Sequence, residues 1–275
     1  MWTIDTIPAY CITLERRSDR WKKFQDKSGI NGLDLQRFIG VDGKTLDIKT
    51  DDRLTLGVKR NILKKFRRGH EEIDSIGAIG CALSHIALWQ HMVDKGIQLM
   101  VIFEDDANVP DDFVSRANNC IKNSPILQNP DSWDLWLLGG IMGNLTEIPG
   151  DKVTVRSSGF LLLHAYVITL PTAKRLLSKV YPIERHIDYW ISMYGQLYDL
   201  RIVTCPSLNI KQNIKIKSDI STVEKGCDIC NVPVDFKDTH EMVPRYEYRL
   251  GQLAEIALLG LAGYWIYKRI YKDNS

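Results

Sequence analysis

Short apolar runs punctuate this chain, with helical periodicity between them. Residues 9–14 (AYCITL), 37–41 (RFIGV), 99–103 (LMVIF), 133–138 (WDLWLL), 160–169 (FLLLHAYVIT) and 202–204 (IVT) each read as a strand. The run at 99–103 holds no polar residue, as expected of a strand buried on both faces of a parallel sheet. Ahead of it, residues 77–92 (GAIGCALSHIALWQHM) have helical spacing. Gly80 precedes that helix, Leu83, Ile86, Ala87 and Gln90 share one face, and Gly96 is the stop. Further helices are expected after Ser18 as N-cap, over 111–119, after Pro171, and from Asp188 into the apolar pattern that follows it. Residues 141–158 read as a loop or hairpin.

Composition narrows the class. Of 275 residues, 44% are hydrophobic and 25% charged, an ordinary globular balance with ample chain for a core. A net charge of +2 does not argue for nucleic acid. The basic run of Lys59, Arg60, Lys64, Lys65, Arg67 and Arg68 keeps a nucleic-acid binder as an alternative. It has one interleaved aromatic, Phe66, and no reader motif, so a solvated helix or loop is the stronger reading. Six cysteines are too sparse for a disulfide scaffold, and Cys227 and Cys230 read as ordinary thiols. The first residues lack a basic region followed by an apolar one, so a cytoplasmic location is the expectation.

Residues 251–275 read as an apolar helical tail. Its run at 253–267 ends in Lys268, Arg269 and Lys272 with Tyr264, Trp265, Tyr267 and Tyr271 clustered there. The run is shorter than the ~20 residues that cross a bilayer. An association with a membrane surface and a packed helix both stand open.

The chemistry concentrates where strand 99–103 meets Glu104, Asp105 and Asp106. Three adjacent carboxylates at the end of a buried strand repel one another, and a divalent cation with oxygen preference, Mg²⁺ or Mn²⁺, offsets that cost. Alternation puts Glu104 and Asp106 on one side and Asp105 on the other; a solvated acidic turn is the plain alternative. Near the start, strand 9–14 runs into a turn with Arg16 and Arg20, where strand and helix could hold a diphosphate. Gly139 and Gly140 close another strand and permit close backbone approach by a ligand. His164, inside an apolar run, reads as a core histidine, and Asp188 as an N-cap or first-turn acid.

Several stretches together resemble glycosyltransferase family 25, which includes bacterial lipopolysaccharide glycosyltransferases and collagen β-galactosyltransferases. They are ITLERRSDRW, RFIGVDGK, GAIGCALSHIALW, VIFEDDA, WDLWLLGG, LLHAYVIT and the late Gln212 with SDI at 218–220, in the family's order over residues 7–220. The resemblance implies an α/β fold of GT-A type with a mostly parallel central sheet over 1–220, followed by an extension over 221–250 and the tail. It implies an inverting, metal-dependent sugar transferase that uses a nucleotide-sugar donor, typically a UDP-sugar, and a glycan, lipopolysaccharide-like or protein acceptor. Mn²⁺ or Mg²⁺ is then held by Glu104 and Asp106. Arg16, Arg20, Asp105, Gly139, Gly140 and Gln212 serve the donor. Asp188 is the expected general base, with Asp219 as its rival. A catalytically inactive relative that binds or scaffolds is the alternative function.

Overall fold

The structure, a computed structural model, describes residues 2–65, 69, 71–213, 257–261 and 264–265. Asp219, Cys227, Cys230, the 221–250 extension, the basic residues at 67–68 and most of the tail lie outside the described residues. The chain divides into two compact units, Met1–Pro233 and Val234–Ser275. In the second, residues 257–261 and 264–265 are helical, and Leu258, Leu259, Leu261, Tyr264 and Trp265 are exposed.

Among the described residues of the first unit there are twelve strands: β1 Pro8–Thr13, β2 Asp34–Ile39, β3 Leu99–Glu104, β4 Ala107–Asn108, β5 Leu135–Leu137, β6 Ile141–Met142, β7 Leu145–Ile148, β8 Asp151–Ser157, β9 Phe160–Leu161, β10 Ala165–Thr169, β11 Ile202–Thr204 and β12 Lys211–Gln212. Its α-helices are α1 Ser18–Gln25, α2 Leu56–Lys64, α3 Ile76–Lys95, α4 Phe113–Asn123, α5 Pro125–Gln128, α6 Leu170–Leu177 and α7 Ile187–Tyr198.

Eight strands form one sheet in the order β2-β1-β3-β10-β5-β11-β8-β7. Six of them point the same way; β10 and β8 run against the rest. The sheet is thus mixed but mostly parallel in strand direction. β3 lies beside β1 in parallel and beside β10 antiparallel, so its neighbourhood is not the purely parallel one that its sequence suggests.

Side-chain alternation explains why both faces are covered. Met100 and Ile102 of β3 join one apolar cluster with Ile79, Leu83 and Trp89 of α3 and Leu176 of α6. Leu99, Val101 and Phe103 join the opposite cluster with Phe24 of α1 and Phe113 and Ala117 of α4. Helices therefore sit on both faces of the sheet. A strand between two apolar layers reads as a continuous apolar run, which is why the pattern at 99–103 was visible.

Several boundaries moved, each for a local reason. α3 begins at Ile76, where Ser75 caps it through Ala78 N, so Gly80 lies inside the helix. It stops at Gly96 in the left-handed region (φ 64°) as expected. No single buried stripe exists on it: Ala82, Ser84, His85 and Trp89 are also buried, while Gln90 is exposed. Gly80 is required because a Cβ there would meet Val41 O at 2.6 Å and Gly43 N at 2.7 Å. Ser18 is the first residue of α1 rather than its cap, which is Arg17. The apolar run 160–169 breaks into β9 and β10 at Leu162, whose φ is 70°. Residues 141–158 form the β7–β8 hairpin and its lead-in strand β6.

Candidate active site

The carboxyl ends of β1 and β3 open into a cleft lined by Thr13, Arg16, Arg20, Asp42, Cys81, His85, Glu104, Asp105 and Asp106. Ligands of open α/β sheets bind at such strand ends. Glu104, at an even position of β3, points to the α3 face. Its Oε1 lies 3.1 Å from His85 Nε2 and 3.8 Å from Cys81 Sγ. β3 ends there, and Asp105 and Asp106 occupy a turn.

That turn changes the expected sidedness. Arg20, buried on α1, pairs through Nη2 with Asp105 Oδ1 and, at 3.3 Å, with Asp106 Oδ2. The two aspartates thus share one guanidinium, where simple alternation had set Asp105 apart. Gln212 also donates to Asp106 Oδ2 at 3.2 Å, because β12 pairs with β4 directly after the acids. Asn213 N donates to the Asp106 carbonyl at 2.8 Å. Arg16 reaches Asp42 at 2.5 Å on the rim of the same cleft.

Electrostatics separate the three acids. Burial pushes the Asp106 carboxyl up to about 7, with the Glu104 charge adding to it against Arg20. Burial likewise raises Asp105. Burial is the largest influence on Glu104 and raises it, but the His85 hydrogen bond and the charges of His85, His164 and Arg20 together outweigh it and hold that carboxyl below its ordinary value. Asp106 Oδ1 is buried with no hydrogen-bond partner among the described residues. A buried carboxylate oxygen without a donor is costly, and a hard divalent cation satisfies it. On that observation the acids fit a Mn²⁺ or Mg²⁺ ion.

Behind Glu104 stands a chain of donors. Trp89 Nε1–H can only donate, and it reaches Tyr166 Oη at 2.9 Å. Tyr166 Oη lies 2.9 Å from His85 Nδ1. Tyr166 Oη and His85 Nδ1 thus share one hydrogen bond and His85 Nε2 and Glu104 Oε1 share the next, so the ring links the tyrosine to the acid. Sequence reading missed Cys81, His85, Trp89 and Tyr166. The signal was present: Cys81, His85 and Trp89 are spaced i, i+4, i+8 on one helix face.

Other expected residues fall differently. Gly139 makes close backbone approach to this chain's own Ile210, where a Cβ would meet the carbonyl oxygen at 2.2 Å. Gly140 (φ 137°) lines a separate cleft with Met142, Thr204 and Lys211. His164 is a core histidine with Nε2 2.9 Å from Ile210 O. Asp188 stands in the first turn of α7, where its carboxylate accepts from Leu162 N and Tyr189 N, both at 2.8 Å. Its charge is among those that raise the Cys81 thiol, after burial and Glu104, which puts it near the acids though outside the cleft lining.

Comparison with known proteins adds to this geometry. Residues 6–138 match the family described as glycosyltransferase family 25 (LPS biosynthesis protein). A "Glycosyltransferase 25 family member" of Anopheles gambiae is 31% identical over 188 residues, 65% of this chain and 30% of the relative. An "Inactive glycosyltransferase 25 family member 3" of Mus musculus is 29% identical over 62% of this chain and 28% of its own length. "Procollagen galactosyltransferase 1" of Danio rerio is 25% identical over 65% of this chain and 30% of its own. The matched segment thus spans less than a third of these curated relatives.

Proposed function

We infer, from a chain that resembles glycosyltransferase family 25 over residues 6–138 and holds that family's acidic motif at a strand end, that it is a glycosyltransferase. It moves a sugar, a hexose such as galactose, from a nucleoside-diphosphate donor to an acceptor hydroxyl on a glycan, a lipopolysaccharide-like molecule or a protein. The observation that carries this reading is the buried Asp106 Oδ1, without a donor among the described residues, beside Glu104 and over Arg20. An anionic pocket with an unmet oxygen is poorly suited to a diphosphate by itself, and well suited to a diphosphate that arrives with a divalent cation.

Glu104 and Asp106 would hold that cation, Mn²⁺ or Mg²⁺, which when bound neutralises charge on the departing diphosphate. The chain's own groups do the rest. His85 keeps Glu104 ionised and oriented. Arg20 fixes Asp105 and Asp106 in the turn, and Gln212 closes over Asp106. Arg16 presents a second guanidinium on the rim, near the charge that develops on the leaving group. A carboxylate takes the acceptor's proton, and Asp188 is the one proposed, in a direct, inverting displacement. Asp219 remains its rival.

A second reading is favoured by the mouse relative that is named inactive: a protein that binds donor without transferring sugar. One experiment separates them. The full chain is incubated with a panel of nucleotide sugars and Mn²⁺, and release of nucleoside diphosphate is measured with and without chelator. Metal-dependent release from one donor supports the enzyme. Donor binding with no release under any metal supports the inactive relative.

A further inference from the structure

We propose that Cys81, His85 and Glu104 form a second cation site, selective for a thiophilic divalent ion of the Zn²⁺ class and distinct in chemistry from the oxygen site at Asp106. Cys81 Sγ, His85 Nε2 and Glu104 Oε1 all lie within 4.8 Å of one another. The two separations fixed individually are 3.1 Å (His85 to Glu104) and 3.8 Å (Cys81 to Glu104). Ligands 2.0–2.3 Å from a tetrahedral Zn²⁺ lie roughly 3.3–3.6 Å apart. Two of the separations are close to that range and the third is at most 4.8 Å, so closing Cys81 on His85 brings all three atoms onto one ion.

The backbone supplies this convergence. Cys81 and His85 are i, i+4 on α3, so both project from one face. Glu104 ends β3 on the side of the sheet that α3 covers. The other nitrogen of His85 already meets Tyr166 Oη at 2.9 Å, and Trp89 Nε1 donates to that oxygen. Zinc-bound histidines use such a partner on their free nitrogen to fix the ring. All three ligands line the cleft, so a fourth coordination position opens to water or to an incoming ligand.

Binding needs two proton movements. The thiol proton of Cys81 leaves to solvent as the thiolate bonds the ion. His85 binds as the neutral imidazole: the proton at Nε2 leaves to solvent and the ring's one remaining proton, held at or taken up from solvent by Nδ1, is donated to a lone pair of Tyr166 Oη. The donor set decides the metal: one thiolate, one imidazole and one carboxylate favour Zn²⁺ over Mn²⁺ or Mg²⁺. The site stands on these three atoms alone. Its consequence, that Zn²⁺ withdraws Glu104 from the Mn²⁺ site and opposes transfer, rests on the function inferred above.

Cobalt(II) reports the site directly, because a Co²⁺–thiolate bond absorbs by charge transfer. The full chain is titrated with Co²⁺ and then with Zn²⁺. The expected result is one equivalent of Co²⁺ with a thiolate band, displaced by Zn²⁺. Cys81→Ser loses the band, and His85→Gln weakens Zn²⁺ binding roughly 10–100-fold. A double Cys227→Ser/Cys230→Ser variant keeps the band, since those thiols are not among the proposed ligands. Asp106→Asn also keeps it while losing Mn²⁺-dependent nucleotide binding, so failure here and failure of the proposed function are told apart. As a check free of folding effects, Zn²⁺ should protect Cys81 of the unaltered chain from alkylation. The proposal is overturned if the band survives Cys81→Ser, if it vanishes only in the Cys227/Cys230 variant, or if Zn²⁺ leaves Cys81 alkylation unchanged.

Discussion

His85 Nε2 lies 3.1 Å from Glu104 Oε1, and the ring is held there by groups that never touch the acid. Trp89 Nε1 donates to Tyr166 Oη, and that oxygen pairs with His85 Nδ1. Tyr166→Phe breaks this sequence at its middle. It leaves the Trp89 N–H and His85 Nδ1 unmatched, a cost of about 1–3 kcal/mol. It should also weaken Mn²⁺ binding by roughly 10–100-fold, the usual effect of removing an outer partner of a metal ligand. Mn²⁺ titration followed by electron paramagnetic resonance checks this. Unchanged affinity would show that His85 and Glu104 are held in place without the Tyr166 hydroxyl.

Asp106 gives a pH prediction for the metal-free protein. Its carboxyl is raised in the fold from 3.8 to about 7 by burial and by Glu104. The folded state thus binds a proton that the unfolded chain has released, and stability falls as pH rises from about 4 to about 7. Asp106→Asn removes the ionisation. Its melting temperature should match the parent near pH 4 and exceed it at pH 8, both in chelator. A variant no more stable at pH 8 would refute the assignment.

Asp134 carries the opposite sign. It is buried at the foot of β5 and accepts from Arg201 N at 2.7 Å, Arg201 Nε at 3.1 Å and Thr172 Oγ1 at 3.1 Å. Burial alone would raise its carboxyl, but the Arg201 bonds hold it below 3.8. Its contribution is therefore full above pH 3.8 and is lost as pH falls below that value. Asp134→Ala should cost about 1–3 kcal/mol at pH 7, because it leaves the buried Thr172 hydroxyl and the Arg201 backbone N–H without their acceptor. Urea unfolding at pH 7 and at pH 3 measures both the loss and its disappearance in acid.

The sheet was legible because its strands are buried on both faces, so their apolar runs stand out from polar surroundings. Glu104, Asp105, Asp106, Arg20 and Gln212 were legible as a group, and the fold brings these five together. The sharing of Arg20 by both aspartates was not, because it depends on where β3 stops, and strand ends are not written in periodicity. The contact at Gly139 was hidden for a related reason. A glycine that admits a close neighbour looks the same in sequence whether the neighbour is a ligand or, as here, the chain's own Ile210. His85 and Cys81 were hidden inside an apolar helix, where a polar residue reads as packing until the opposing strand is known.

The base assignment is tested by a pair of variants. Asp188 sits in the first turn of α7 with its carboxylate tied to Leu162 N and Tyr189 N. Those bonds orient it but do not fill all its acceptor positions. Asp188→Asn should lower transfer by roughly 10²–10⁴-fold with donor binding kept. If it transfers normally and Asp219→Asn does not, Asp219 takes the role.

The central claim is that the acids at the end of β3 bind a diphosphate only together with a divalent cation. Calorimetric titration of the full chain with a nucleoside diphosphate, in Mn²⁺ and then in chelator, tests it most directly. The account predicts binding in Mn²⁺, none in chelator, and none in either for Asp106→Ala with the fold intact. Equal binding with and without metal, or undiminished binding by Asp106→Ala, would contradict it.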